Sequence, residues 1–445
     1  MTTTVKDSEI WRNLSMNILV IGSGAREHAL CCKLASSPKA KKVQIWPGNA
    51  VTQKLFHHFP SPANSSMPEL AQAIKNANVD LVVIGPELHL AAGLVDELHA
   101  RGVIAFGPSA KAAKLEASKA FAKDVLDAAK VPTARYSVAQ SKAECEAFAN
   151  EEFSRNGGVV LKASGLAAGK GVFVCDTRAS LDDAFKMLYS EMFAQSTAQV
   201  VIEELMRGRE SSHFTSIGRA GLVSLGFAVD FKRLQDRDQG PNTGGMGCYT
   251  PVPWLPADAD DLVMKTIVRP TIDELKSRGI DYLGWLYTGL MWTDKGPKVV
   301  EFNVRLGDPE AQVLTAADDS DWLNLILAQC GIQTFDHPNH KLRSSVCIVA
   351  ASSDYPYGGS IATPSHWPLS RFARSNGEIK LLAASVKEGQ NAEDIATGSG
   401  RVFSCVAAAD SLQEARTKAY SLALDVQSQW PSCQMRTDIA GEFAK

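Results

Sequence analysis

Apolar positions along the chain fall into three regimes. From residue 16 to 106, short continuous apolar runs alternate with stretches of helical period. The run 18–21 ends at Gly22 and reads as a strand buried on both faces. A helical period follows over 27–36. Next come strand-like 43–46, helical 68–78, strand-like 81–84, helical 90–100 and strand-like 103–106. Strands alternating with helices of this length predict βαβ units and a doubly wound parallel sheet over 16–116. Residues 1–15 read as a polar extension.

A helical bridge over 110–130 ends before Val131 and Pro132. Beyond it the pattern becomes α+β and mostly antiparallel. Strands at 159–162 and 172–175 flank a Gly-rich turn, a helix covers 180–189, and a strand covers 200–205. A hairpin with its turn at 218–221 and strands at 286–292 and 298–302 complete a central unit over 117–330. A third, small α+β unit over 331–445 carries strands at 345–350 and 401–407, a turn at 355–359 and a helix at 412–426.

Composition narrows the class. Among 445 residues, 45% are hydrophobic and the net charge is −3, which suits a folded soluble chain and offers no polyanion-binding excess. Neither a membrane span nor a secretory signal is present in the pattern. Nine cysteines without a CxxC pair suit reduced, buried thiols in the cytoplasm.

Five clusters carry candidate chemistry. Gly22, Gly24, Arg26 and Glu27 follow a strand and open a helix, where backbone N–H groups favour an anion. Glu27 stands where a dinucleotide fingerprint needs its last glycine, so a tight turn and a phosphate site remain open readings, and Arg26 favours the phosphate. Lys162, Gly165, Leu166, Ala167, Ala168, Gly169, Lys170 and Gly171 form a Gly-rich turn between strands. It is not a Walker loop, but it can fold over phosphates. Glu203, Glu204 and Leu205 end an apolar strand with paired acids that need partners. Glu301, Asn303 and Arg305 share one strand face. They offer Mg²⁺ two oxygen donors and an anion a guanidinium. Asn242, Gly244, Gly245 and Gly247 lie in a glycine-dense loop able to wrap a ligand.

From Met16 to Glu442 these clusters, in this order, resemble the phosphoribosylamine–glycine ligase family of the ATP-grasp superfamily. Gly-Pro-Asn-Thr-Gly-Gly-Met-Gly at 240–247 and Glu-Phe-Asn-Val-Arg-Leu-Gly-Asp-Pro-Glu at 301–310 are its most specific marks. The resemblance implies a central ATP-grasp fold with a nucleotide lid at about 133–205. It implies ATP and Mg²⁺ (or Mn²⁺) as cofactors, and glycine and 5-phosphoribosylamine as substrates joined through glycyl phosphate. A monomer or weak homodimer is expected. Lys119 and Lys162 would contact phosphates, with the 165–171 turn over them. Glu203, Glu204 and Leu205 would hold adenine through backbone groups, Glu210 would approach the ribose, and Glu301 and Asn303 would bind metal. Gly22, Gly24, Arg26, Glu27, Gly85 and Glu87 would hold the ribose phosphate. Asp230, Arg305, Asp308 and the 242–247 loop would line the acceptor site, and the third unit would act as a lid. The chain departs from the family pattern at Val229 and Phe231, where Gln and His are usual. It departs also at Ala25, Ala117, Ala384 and Ala440, where Gly is usual. An acceptor other than phosphoribosylamine, or a nucleotide-binding protein with weak catalysis, are the alternatives.

Overall fold

The computed structural model describes residues 15–165, 171–189, 199–334, 342–358, 364–373 and 378–443. Strands β1 (Met16–Gly22), β2 (Ala40–Pro47), β3 (His57–His58), β4 (Leu81–Ile84) and β5 (Ile104–Phe106) form a sheet in the order β3-β2-β1-β4-β5, parallel throughout. Strand order reverses between β1 and β4. The loops after these two strands therefore open side by side into the crevice where such sheets take ligands. Those loops are Gly22–Arg26 and Gly85–Glu87.

The helix expected at 90–100 is two, Glu87–Ala91 and Leu94–Ala100, separated at left-handed Gly93 with φ +83°. The bridge at 110–130 is likewise Ala110–Ala117 and Lys119–Ala128. Ser118 leaves the helical region (φ −135°), and its hydroxyl accepts from Phe121 N, capping the second helix. This break starts a new helix at Lys119.

A four-stranded antiparallel sheet follows: β6 (Tyr136–Ala139), β7 (Val159–Ala163), β8 (Val172–Cys175) and β9 (Val200–Glu204), in the order β6-β9-β7-β8. It packs on the helices Lys142–Asn156 and Arg178–Leu188 around its own small core, including Cys145, Leu161, Leu181 and Ile202.

The largest sheet takes β10 (Arg209–Gly218), β11 (Gly221–Asp230), β14 (Gly247–Thr250), β15 (Gly284–Thr293), β16 (Gly296–Asn303), β17 (Ser344–Ala351), β19 (Ile379–Ala383) and β22 (Arg401–Ala409). Two small sheets use β12 (Arg233–Gln235) with β13 (Gln239–Asn242), and β18 (His366–Pro368), β20 (Val386–Glu388) and β21 (Asp394–Thr397). The eight strands run in the order β16-β15-β10-β11-β14-β17-β22-β19, every neighbour antiparallel.

That order shows how the third unit joins the central one. β14 pairs with β17 from Gly247↔Ile348 to Thr250↔Ser345, so the C-terminal strands continue the central sheet. Gly247 is required there, because a Cβ would lie 2.7 Å from the Cys347 carbonyl oxygen.

Ala440 alone among the four alanine departures is left-handed, at φ +54°. That strain costs about 1 kcal/mol, yet its methyl is fully buried and contributes about 0.8 kcal/mol. The two nearly cancel. Ala440→Gly is expected to change the unfolding free energy by less than about 0.5 kcal/mol by denaturant titration, whereas a clear gain would mean that strain dominates.

Candidate active site

Lys162 projects from β7 into the junction between the small sheet and β16. Its ammonium lies 2.8 Å from Glu203 Oε2 and donates to the Val300 carbonyl at 2.8 Å. Lys123 approaches Glu203 from the other side at 3.1 Å, and its Nζ also donates to Thr133 Oγ1 at 2.7 Å. All three side chains are buried. Burial pushes Glu203 up, but Lys162 and Lys123 outweigh it and hold the carboxyl below its usual range. Burial lowers Lys123 to about 8, with Glu203 opposing the shift. The acid expected to await a nucleotide is thus satisfied by two lysines, one of which the sequence reading did not single out. Glu204 likewise pairs with Lys298 at 2.9 Å.

Lys119, first residue of its helix, donates to the Gly165 carbonyl at 3.3 Å and anchors the start of the Gly-rich turn. Burial lowers its pKa while nearby Glu301 raises it. Leu166, Ala167, Ala168, Gly169 and Lys170 lie outside the described residues; Gly171 closes the turn by accepting from Ala163 N at 2.8 Å.

Strand β16 brings Glu301 and Asn303 to one face, as the two-residue period requires. Among the described residues, Glu301 accepts no hydrogen bond and forms no ion pair, and Asn303 Oδ1 meets only Arg305 at 3.4 Å. Two adjacent oxygen donors, one an uncommitted carboxylate, fit a hard divalent cation whose remaining ligands come from phosphate and water. No group of three or more His, Cys, Asp or Glu side chains suited to a metal occurs among the described residues.

Arg305 is more committed than its expected anion-binding role implied. Nη2 donates to Glu116 Oε1 at 2.9 Å, and Nε lies 3.3 Å from Glu87 Oε2. Glu116 also accepts from Val304 N at 2.8 Å. Burial pushes Glu116 up with Arg305 opposing, while Arg305 overcomes burial to keep Glu87 low. Glu87 therefore ties the β4 loop to the bend after β16, which ends at Asn303 and leaves Arg305 beyond the strand face expected of it.

At the β1 loop, Glu27 is 2% exposed. Oε2 accepts from Gly24 N at 2.7 Å and Oε1 from Arg26 Nε at 2.5 Å. A Cβ at either Gly22 or Gly85 would collide with this side chain. Glu27 thus occupies the space a third glycine would have left, and it holds Arg26 in place. Arg26 Nη1 donates to the Leu306 carbonyl at 3.1 Å, so this loop meets the 301–310 segment. The helix behind it adds buried His28, whose Nδ1 accepts from Ala383 N at 3.0 Å; burial lowers it to about 4.

Asp230 ends β11 inside the site, 3.9 Å from Lys232, which also meets Glu210 at 2.9 Å. Burial raises Asp230, with Lys232 opposing, and raises Glu310 to about 8 with help from Asp230. Val229 and Phe231 lie on the other face of the strand, against the C-terminal core. Phe231 carries the Arg436 guanidinium over its ring at 4.7 Å. In place of the usual Gln and His, these two side chains serve packing between the strand and the C-terminal core.

The glycine-dense loop closes the remaining side. Asn242 is exposed in the β12–β13 ribbon, and Gly245 (φ +111°) packs flat on Pro309. Asp308 accepts from Gln312 at 2.7 Å and lies 3.2 Å from Arg401, a residue of β22 absent from the expected set.

Known proteins align with this arrangement end to end. Sequence models of the phosphoribosylglycinamide synthetase N domain, ATP-grasp (A) domain and C domain match residues 16–116, 117–311 and 345–442. A Pseudomonas syringae phosphoribosylamine–glycine ligase is 39% identical over 95% of this chain and 97% of its own length. The Thermotoga maritima phosphoribosylamine–glycine ligase structure superposes with a TM-score of 0.79 at 30% identity, covering 95% and 99% of the two chains. A Campylobacter jejuni biotin carboxylase structure shares the fold at TM-score 0.69 and 16% identity, over 95% and 92%. With all three domain models matched in order along the parallel sheet, the ATP-grasp core and the strands that extend it, the chain belongs to the phosphoribosylglycinamide synthetase family.

Proposed function

We propose that this chain joins glycine to 5-phosphoribosylamine, giving glycinamide ribonucleotide, ADP and phosphate. The observation that carries the reading is the convergence of half-buried Lys119, buried Lys162, the oxygen pair Glu301 and Asn303, and Asp230 beside the switch-point loops at Gly22 and Gly85. A carboxylate is a poor electrophile. Transfer of the γ-phosphoryl group of ATP to the glycine carboxylate gives glycyl phosphate and ADP. The amine nitrogen then bonds to the acyl carbon, phosphate leaves, and the amine loses a proton.

Buried Lys162 and half-buried Lys119 would neutralise phosphate charge where solvent screens it little. Glu301 and Asn303 would hold Mg²⁺ or Mn²⁺, which supplies positive charge to the phosphoryl oxygens. Arg26 and the Gly22 and Gly85 loops would receive the ribose phosphate, with Glu87 and Glu27 as positioning residues. Arg305, held by Glu116 and Glu87, borders the same space, and Asp230, Asp308 and the 242–247 loop line its acceptor side. Nine free cysteines support a reducing, cytoplasmic setting. The packing of Val229 and Phe231 against the C-terminal core weakens the argument for a different acceptor.

Phosphate release is the test. With ATP and Mg²⁺, it is expected to require both glycine and freshly made phosphoribosylamine and to yield glycinamide ribonucleotide. Nucleotide binding with phosphate release indifferent to either substrate would defeat the assignment.

A further inference from the structure

The family assignment does not explain why a guanidinium at the start of a C-terminal strand reaches into the site. β22 is buried over its whole length except at Arg401. Arg401 Nη1 donates to the Gly244 carbonyl at 2.7 Å and to the Asp308 carbonyl, and Nη2 lies 3.2 Å from Asp308 Oδ2. The same glycine is held from its other side, since Gly244 N donates to Tyr355 Oη at 2.8 Å. Tyr355 is itself fixed. Its ring packs against the cluster of Leu234, Met246 and Ala351, and its carbonyl accepts from Gln434 at 3.1 Å.

Both peptide groups of Gly244 are therefore bracketed by C-terminal side chains. The fit is close: a Cβ at Gly244 would lie 3.1 Å from the Arg401 guanidinium carbon. Asp308, the other end of the strut, sits 3.4 Å from where a Gly24 Cβ would project. One fork thus fixes the spacing between the glycine-dense loop, the 307–310 turn and the β1 loop. Lysine could not reproduce this, because a single ammonium lacks the planar fork that serves two acceptors at once.

Building on the proposed ligase reading, we infer that Arg401, assisted by Tyr355, is a positioning residue that sets the acceptor side of the site and thereby the affinity for the amine substrate. It acts through the 242–247 loop and Asp308, and it has no part in holding the nucleotide. Hydrogen bonds to a charged group carry enough energy for tenfold to hundredfold effects, in rough terms.

Full-length Arg401→Met, Arg401→Lys and Tyr355→Phe would be compared with the parent, varying ATP, glycine and phosphoribosylamine separately. Hydrogen exchange across 240–250 and across β10 and β15 would be read alongside. Arg401→Met is expected to raise the phosphoribosylamine KM about tenfold or more. The ATP KM should stay within about twofold, and only the loop amides should exchange faster. Arg401→Lys should recover part of the affinity, and Tyr355→Phe should show a smaller change of the same kind. Equal changes in all three KM values, or unchanged loop exchange in Arg401→Met, would overturn the inference. If Arg401→Met also loosens β10 and β15, Tyr355→Phe decides by the same two readouts. The parent is measured first: a parent without glycine- and amine-dependent turnover indicts the ligase reading, whereas an active parent with unselective variants indicts Arg401.

Discussion

Glu203→Ala is expected to cost this protein about 3–5 kcal/mol of stability, the range for breaking a buried ion pair by removing one partner. The effect is this large because two ammonium groups depend on one carboxylate. Lys123 and Lys162 lie 3.1 and 2.8 Å from Glu203, and none of the three side chains reaches solvent to a useful extent. Even with Glu203 present, burial holds Lys123 at about 8. Without it, both lysines either carry an uncompensated charge or give up a proton.

The sign with pH follows from that choice. A lysine whose folded pKa lies below its unfolded value binds fewer protons when folded, so stability rises with pH between the two values. For Lys123 this window runs from about 8 to the ordinary 10.5. Removing Glu203 widens the window downward. The added part of the window lies below about 8, so the deficit of the variant should grow as pH falls below 8 and level off above it. Urea titrations of parent and variant across that range check this; a deficit independent of pH would mean that the triad is not charged as described. Nucleotide turnover should fall as well, because a neutral or displaced Lys162 no longer offsets phosphate charge.

What the sequence made readable was local. The run at 18–21 and the glycines around 165 and 240 announce strands and loops through neighbours only a few residues away, and β1, β4 and the β10–β11 hairpin lie where the pattern puts them. The helices Glu310–Ala317 and Trp322–Gln329 escaped because they are buried almost all round and show no apolar stripe. The break at Ser118 escaped because helical period continues on both sides and one hydroxyl makes the cap. Arg401 and Gly244 are 157 residues apart, and Arg305 and Glu116 are 189 apart, so no spacing joins them. The position of Phe231 was available in principle. Along a strand, residues 229 and 231 face opposite to 230, so placing Asp230 in the site already turned the two departures away from it.

Glu301→Gln is expected to reverse the balance of the Glu203 variant, losing turnover while keeping stability. Among the described residues its carboxylate has no hydrogen bond or ion pair, so the substitution removes no internal partner. The amide is nearly isosteric, and a half-buried strand position tolerates it. Unfolding should stay within about 0.5 kcal/mol of the parent. Turnover should fall about 10²–10³-fold, the usual loss when one preorganised group that stabilises transition-state charge is removed. Two effects add in the same direction. The proposed cation site loses the carboxylate beside Asn303, and Lys119, whose proton Glu301 helps to retain against burial, becomes easier to neutralise. Mn²⁺ binding with ATP, followed by electron paramagnetic resonance, separates them from simple misfolding. The variant should bind Mn²⁺ more weakly and regain part of its rate at high Mn²⁺. Normal Mn²⁺ binding with normal turnover would show that the metal is held elsewhere, and the reading of β16 as the metal-bearing strand would fall with it.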